Sequence, residues 1–332
     1  MKRILFPEKI NRGILYHNII PEIYNSVIDN EFDFVFDMKE TQLADAESLI
    51  AILSVSSIIL NKYNHIAKLE MPQNIPILKY LERNNFFSVS KINGNQVLDF
   101  NKFSSYGDEF KLKRTRYTSK ISNINYNSTI SPHQTNVSKL TYDLLQTSLG
   151  DKNHPEKWRI YQLFELSFLQ LIQNFFEHNL YDNSYKCTAY YLGQVLPYGK
   201  IQVVFYDTGK GFRKRILEMI DNDNNKIRNG EEGNPDIKKY RKIEHLLRDK
   251  RLLFKDSSSN SNYQAIKAAL DYRNDSIIPG LSVIRDFTIS NEGIMHIHSG
   301  NVQYECYPDG NESFNVFDYN FSGVHISLEF PI

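Results

Sequence analysis

Short alternating segments and longer apolar segments follow one another between residues 31 and 84, and this order constrains the fold more than any other sequence feature. Residues 31–38 alternate, with three phenylalanines on one face, which predicts a strand. Residues 44–62 are mostly apolar after an acidic start, which predicts a buried helix with favourable charge at its N-terminus. A second strand is predicted over 66–71 and a second helix over 75–84. This order predicts a small α/β domain with a partly parallel sheet.

The charge balance and the cysteine count exclude several classes of protein. The 332 residues include 39 Lys and Arg and 39 Asp and Glu, so the formal net charge is zero. We therefore expect no whole-chain attraction to nucleic acid or to an anionic membrane. Two cysteines, Cys187 and Cys306, exclude a disulfide scaffold and a four-cysteine zinc site, and they indicate a reducing compartment. We recognise no signal peptide and no apolar run near the roughly 18 residues that span a bilayer, so we expect a cytoplasmic protein.

The composition changes near residue 101, and the second half of the chain has a different pattern. Residues 106–138 are polar and weakly periodic, which is typical of a linker. Within them, residues 111–120 carry five basic side chains, which indicate either a solvated linker, the interpretation that we favour, or a patch for nucleic acid or phosphoinositides. From 139 to 332 the patterns predict helices on one face of a mixed, largely antiparallel sheet, an α+β layer. Helices are expected over 158–179, 263–270 and 281–290, and strands over 186–196, 200–206, 293–299, 303–307 and 323–330.

Three short motifs in this second half contain the residues with the clearest chemistry. The first is QLIQN at 170–174, where amides interrupt an apolar helix. An amide that is buried without partners costs about 1–3 kcal/mol, so these side chains need a reason to be there. The second motif is DTGKGF at 207–212, directly after the apolar strand IQVVFY, and the third is PGLSVI at 279–284, which opens a helix.

The residue types in these motifs fit the recognition of a nucleotide. The Asn174 carbonyl is a hard oxygen ligand of the kind that Mg²⁺ prefers. An ionised Asp207 only accepts hydrogen bonds, so it selects an amino group such as that of adenine. Gly209 and Gly211 permit positive φ and remove Cβ atoms where a ligand approaches the backbone. Gly280, before a helix, leaves backbone N–H groups available to an anion.

This ordered set resembles the ATP-binding domain of the GHKL superfamily, which includes DNA gyrase, the histidine kinases and MutL. The resemblance covers roughly residues 140–332 and implies a Bergerat-type α/β sandwich with ATP and Mg²⁺ as cofactors. The helix around Asn174 is similar to the family's N box, DTGKGF to its first glycine box and IIPGLSVI to its second. By this resemblance Asn174 binds Mg²⁺ and Asp207 bonds the adenine amino group. The nucleotide-binding residues that the resemblance implies are Asn174, Asp207, Gly209, Gly211, Gly280 and Leu281.

Two positions depart from the family pattern. The family's general base, a Glu four residues before the Asn, is replaced by Gln170, and a neutral amide orients water without taking its proton. Glu177, three residues after Asn174 on the same helix face, is the candidate substitute; alternatively it is a surface carboxylate, which we favour. Ile278 replaces the first glycine of the second box. Residues 212–260 stand in the place of the family's ATP lid. The two departures together favour nucleotide binding over fast hydrolysis.

The N-terminal residues 1–105 resemble, more loosely, the STAS domain of bacterial anti-sigma-factor antagonists. The resemblance rests on the pattern of residues 28–100 and on no firm motif. The phospho-acceptor serine of that family would fall near residues 45–48, where Ala46 cannot accept a phosphoryl group. The resemblance therefore implies an α/β fold and a role in docking another protein.

Together these patterns predict a cytoplasmic Mg-ATP-binding regulatory protein with two domains. ATP would reorganise the lid, and a protein partner or the STAS-like domain would read that change. Slow or absent hydrolysis leaves open whether the protein is an enzyme. The alternatives are an active serine/threonine kinase of the anti-sigma-factor type, a slow ATPase, and a non-catalytic scaffold with a decayed ATP site. We expect a protein partner, consider a homodimer, and expect neither nucleic acid nor membrane.

Overall fold

The computed structural model describes residues 1–92, 95–100, 120–125, 128–149, 155–177, 187–196, 199–271 and 280–331. The strands are β1 (Lys2–Leu5), β2 (Lys9–Ile10), β3 (Phe34–Asp37), β4 (Leu43–Ala44), β5 (Ala67–Glu70), β6 (Lys91–Ile92), β7 (Asn95–Gln96), β8 (Leu98–Asp99), β9 (Ser122–Asn125), β10 (Thr188–Leu196), β11 (Lys200–Asp207), β12 (Ile294–Cys306) and β13 (Glu312–Pro331). The α-helices are α1 (Arg12–Ile14), α2 (Ile20–Ile28), α3 (Ala46–Tyr63), α4 (Ile75–Arg83), α5 (Phe86–Val89), α6 (Ile130–Leu149), α7 (Pro155–Phe175), α8 (Gly211–Arg228), α9 (Lys238–Arg248), α10 (Ser261–Leu270) and α11 (Leu281–Ser290). A π-helix, Leu15–Ile19, joins α1 to α2.

The fold is mixed α/β with parallel and antiparallel strand pairs, as the sequence predicts at this coarse level. The chain forms two compact units. The first contains Met1–Thr129, Lys139–Lys152 and Lys186–Thr208, and the second contains Ile130–Ser138, Asn153–Tyr185 and Gly209–Ile332. Strands β10 and β11 thus belong to the same unit as the N-terminal residues. The STAS-like and Bergerat-type domains over 1–105 and 139–332 stay predictions.

The parallel sheet of the first unit has the strand order β1, β3, β5, β8. Helix α3 begins directly after its N-cap Asp45, whose side chain accepts a hydrogen bond from the Ser48 N–H at 2.7 Å. It ends at Asn64, which adopts the left-handed conformation with a φ of 56°. Two predicted helices and two predicted strands between 31 and 84 are therefore present, with their ends shifted by a few residues.

Helix α3 is also the centre of the first unit. It packs on β5 and on the antiparallel strands β10 and β11. The Ser57 and Tyr190 hydroxyls share a hydrogen bond of 2.7 Å where α3 meets β10. By length and composition α3 is the one helix among the described residues that could span a membrane, so the expectation that no such run exists was wrong. However, 78% of it is buried inside the protein, as in the core helix of a soluble protein.

The antiparallel strands of the first unit have the order β9, β10, β11. Strands β10 and β11 pair from end to end, and Tyr190 lies directly opposite Tyr206. Both strands are almost entirely buried, as the apolar run IQVVFY predicts. The last residue of β11 is Asp207, so the predicted adenine-binding carboxylate stands at a strand end.

The second unit is built around a long antiparallel hairpin of β12 and β13. Helices α8, α10 and α11 pack on this hairpin. Two separate strands were predicted over 293–299 and 303–307, but the structure has one continuous strand there. The pairing register shifts on either side of Gly300, which has a φ of 66°. A bulge at this glycine lets the strand continue through the polar stretch that suggested a break.

Two regions are more helical than the sequence predicts, although the helical core expected near 237–253 is present as α9. Helix α6 begins at Ile130, inside the predicted linker 106–138. The predicted lid, 212–260, consists largely of α8 and α9. These helices and α10 share a small apolar core of their own, formed by Ile216, Ile220, Ile237, Tyr240, Leu247 and Ala265.

Candidate functional site

Two side-chain amides on α7 are bonded to each other. Gln170, which is buried, donates from Nε2 to Asn174 Oδ1 over 2.9 Å, and the two residues are one helical turn apart. The neighbouring Leu171, Ile172 and Phe175 are buried, so the pair lies on the inner part of the helix. The amide at the position of the family's general base thus donates to the predicted metal ligand.

Glu177, the other predicted catalytic residue, has a different environment. It is exposed, and its Oε1 accepts a hydrogen bond of 2.6 Å from Gln173 Nε2, one turn earlier. This is the environment of a surface carboxylate. His178, which follows it, lies outside the described residues.

Asp207 is buried at the end of β11, and the backbone directly after it is fixed by β10. The Thr208 N–H donates to the Thr188 carbonyl at 2.9 Å, and the Thr188 N–H donates to Thr208 Oγ1 at 2.9 Å. These two bonds set the direction in which the chain leaves the strand. Asp207 belongs to the first compact unit, and the other candidate residues lie in the second.

The glycine turn that opens α8 lies against the β12–β13 hairpin. Gly211 has a φ of 74°, in the left-handed region. A Cβ at this position would stand 3.0 Å from Ser299 Oγ and 3.3 Å from the Gly323 carbonyl oxygen. The next N–H, that of Phe212, donates to Ser299 Oγ at 3.2 Å. Conformation and close approach therefore both favour glycine at 211.

The N-terminus of α11 has no side-chain cap. Gly280 is extended, and its carbonyl accepts the first backbone bond of the helix from Val283 at 3.0 Å. Leu281, the first helical residue, is buried and anchors this end of the helix. Ile278 and Pro279 of the second glycine box lie outside the described residues.

Within the second unit, the helices that carry the motifs meet the same hairpin. Helices α8 and α11 pack on β12, and α7 packs on α11. Phe330 of β13 contacts Phe164 of α7 at a ring distance of 5.6 Å and Phe287 of α11 at 5.3 Å. Strand β13 thus fixes the N-box helix and the helix of the second glycine box relative to each other.

The basic residues at the start of the predicted lid have protein partners. Lys210 Nζ bonds Glu218 at 3.0 Å. Arg213 Nε donates to the Leu247 carbonyl at 2.7 Å, and burial lowers the pKa of this guanidinium. The Lys210 bond lies within the first turns of α8, and the Arg213 bond joins α8 to α9. The basic run is outside the described residues except for Lys120.

Comparison of the chain with protein-family models, with curated proteins and with solved structures finds no match. The assignment of function therefore rests on the chemistry of the residues and on the resemblance.

The side chains near Asn174 can be compared with the ligands that the implied Mg²⁺ requires. Among the described residues, no three His, Cys, Asp or Glu side chains cluster so as to hold a metal ion. Asn174 Oδ1 accepts one bond from Gln170 and keeps a second lone pair. Because Mg²⁺ at nucleotide sites retains several waters and takes phosphate oxygens, a single protein oxygen fits it. Asn174 would be that ligand, and the ion would neutralise phosphate charge.

Sequence reasoning missed the contribution of two serines. Ser299 accepts the Phe212 N–H, and Ser322 Oγ donates to the Gly209 carbonyl at 3.2 Å. Each serine precedes a glycine with positive φ, in SGN and SGV. Two Ser-Gly steps in the closing strands are the signal that could have identified them.

Proposed function

We propose that this protein is a Mg-ATP-binding regulatory protein of the GHKL type. It would act as a nucleotide-gated switch, with slow or absent hydrolysis, on a protein partner. The observation that carries the proposal is the sequence of elements at 200–228: a buried strand ending in Asp207, a glycine turn with a left-handed Gly211, and a long helix that begins directly after it. A buried carboxylate followed by a turn with two glycines fits the recognition of an adenine beside the backbone.

Each candidate residue has a distinct role in this proposal. Asp207 accepts a hydrogen bond from the adenine amino group, and its charge disfavours a carbonyl at that place, as in guanine. Asn174 provides one oxygen to Mg²⁺. Gly209 and Gly211 lack side chains where a ligand would approach the backbone. The uncapped N-terminus of α11 after Gly280 offers N–H groups to phosphate oxygens.

The α7 side chains support slow turnover. Gln170 is a neutral amide that is too weakly basic to take the proton of an attacking water, and its Nε2 donates to Asn174. Glu177 is exposed and bonded to Gln173. A cytoplasmic location and a protein partner, with a STAS-like N-terminal domain as the docking element, complete the proposal.

Isothermal titration of the full chain with ATP and Mg²⁺, followed by a phosphate-release assay, tests this function. Asp207→Asn should lower ATP affinity about 10- to 100-fold, because a charge-assisted hydrogen bond contributes about 1.5–3 kcal/mol. Asp309→Asn, in the exposed turn between β12 and β13, is the matched control and should bind ATP like the wild type. Unchanged ATP affinity in folded Asp207→Asn would reject the assignment.

The same assays separate the alternatives. Binding without phosphate release supports the switch, and release of phosphate supports an ATPase. If release stops in Glu177→Gln, Glu177 is the base. Transfer of labelled phosphate to a protein would support a kinase, and absence of ATP binding would support a scaffold.

A further inference from the structure

A carboxylate is buried where α3 begins, in the first compact unit. The Glu47 side chain is 4% exposed. It accepts hydrogen bonds from the Tyr206 hydroxyl and, over 3.5 Å, from Gln202 Nε2, both on β11. The Arg12 guanidinium lies 3.9 Å away. The first turn of α3 is thus tied by side chains to β11, at Gln202 and at Tyr206 near the end of the strand.

The network continues into the N-terminal residues. Tyr16, on the π-helix, shares a side-chain hydrogen bond with Tyr206. Burial raises the pKa of both tyrosines well above the usual value, so both hydroxyls stay protonated. Residues from three separate parts of the chain therefore meet at Tyr206.

Such a network needs a physical reason. An ion removed from water loses several kcal/mol of solvation, and a packed apolar residue would stabilise the same place as well. What directional bonds add is a single defined arrangement of the elements that they join. Here they fix the end of β11 against α3.

The fixed residue is the immediate neighbour of the predicted adenine-binding carboxylate. Side chains alternate between the two faces of a strand, so Tyr206 and Asp207 point to opposite faces of β11. A shift of Tyr206 on one face therefore moves Asp207 on the other. We infer that Glu47 and Tyr206 are positioning residues, which hold the end of β11 so that Asp207 meets the adenine amino group. This inference rests on the proposed function, and it makes α3 and the N-terminal residues part of the control of nucleotide selectivity.

The chain contains a matched control for this inference. Tyr190 lies directly opposite Tyr206 in the β10–β11 pair, is also buried, and also bonds α3 through its hydroxyl, at Ser57. Tyr206→Phe and Tyr190→Phe each remove one buried hydroxyl that joins this sheet to α3. Only Tyr206 is next to Asp207.

The experiment measures the affinities of the full chain for ATP, GTP and inorganic tripolyphosphate by titration, with thermal unfolding of each variant. Tyr206→Phe should lower the affinity for ATP about 5- to 20-fold, which is within the usual range of coupling between sites. Its affinities for GTP and tripolyphosphate should be unchanged. Tyr190→Phe should lose similar stability and keep the wild-type ATP-to-GTP ratio. Glu47→Gln still accepts the Tyr206 bond, so it should retain more selectivity than Tyr206→Phe.

Three results would overturn the inference. An unchanged ATP-to-GTP ratio in Tyr206→Phe means that the network has a structural role alone. An equal loss of selectivity in Tyr190→Phe means that sheet stability, and not the position of Asp207, controls the ratio. A wild type that does not bind ATP removes the proposed function and the inference together, whereas the first two results leave the proposed function intact.

Discussion

Two histidines buried in the β12–β13 hairpin make the stability of the protein depend on pH. His298 and His325 lie directly opposite each other in the pairing register, with ring centroids 6.0 Å apart. His298 also stacks on Phe321 at 5.3 Å. Burial lowers the pKa of His298 to about 3, and burial together with His298 lowers the pKa of His325 well below its usual value.

The sign of the effect follows from the unfolded chain, in which a histidine titrates near 6.5. Above that pH both states are neutral, so His298 adds no pH dependence. As the pH falls below 6.5, His298 binds a proton in the unfolded state, whereas in the folded state it stays neutral until about pH 3. Stability therefore decreases on acidification, and between pH 6.5 and 4.5 His298 alone accounts for about 2 kcal/mol.

The assay is urea unfolding at pH 6.5 and at pH 4.5, for the wild type and for His298→Phe. Phe fits the aromatic surroundings and binds no proton. Between the two pH values the free energy of unfolding should fall by about 2 kcal/mol more in the wild type than in the variant. The contribution of the carboxylates is the same in both proteins and cancels in this difference. His245→Gln, on the exposed face of α9, is the control and should behave as the wild type does. Equal losses in the wild type and in His298→Phe would refute the reasoning.

Three further predictions concern the candidate site. Asn174→Ala should weaken ATP binding more with Mg²⁺ than without it, by titration in both conditions; an equal loss in both would contradict the metal role. Gln170→Glu should raise phosphate release as the pH rises through the carboxylate's titration, because only the ionised form accepts a proton; a flat, wild-type rate would argue against a restored base. Gly211→Ala should lower the free energy of unfolding by about 1–2 kcal/mol, since it adds left-handed strain and a contact with Ser299. Gly310→Ala, with a φ of 79° and no atom within 4 Å of the added Cβ, measures the strain alone, and an equal effect in both variants would mean that the contact is harmless.

Local signals predicted α3 well, because its ends are specified by nearby residues. Asp45 caps the first turn and Asn64 ends the helix in a left-handed conformation. The partners of α3 could not be predicted in this way. Its contact with β10, at Ser57 and Tyr190, joins residues 133 positions apart, and no local pattern encodes that distance.

Polar residues were the main source of differences between sequence and structure. Glu47 looks like a charge that favours a helix N-terminus, yet it is buried against β11. The start of helix α6 was assigned to the linker because the segment is rich in Ser, Thr and Asn. Nevertheless, Val137, Leu140 and Leu144 form a buried apolar face at helical spacing. The glycine motif at 207–212 was visible because its turn and helix start are local features, whereas Ser299 and Ser322 reach it from strands about 90–110 residues away.

The position of α3 has a consequence for the newly made chain. The helix is complete at Tyr63, but β11 ends at Asp207, which is synthesised 144 residues later. At about 5–20 residues per second, about 7–30 s pass between the synthesis of this 18-residue apolar segment and the completion of β11, so during that time only β5 of its partner strands is available to cover it. During that interval the nascent chain presents the kind of surface that chaperones and membrane-insertion machinery bind. A fragment ending at residue 105 lacks β10 and β11, so it would leave that face of α3 uncovered, and we expect it to aggregate.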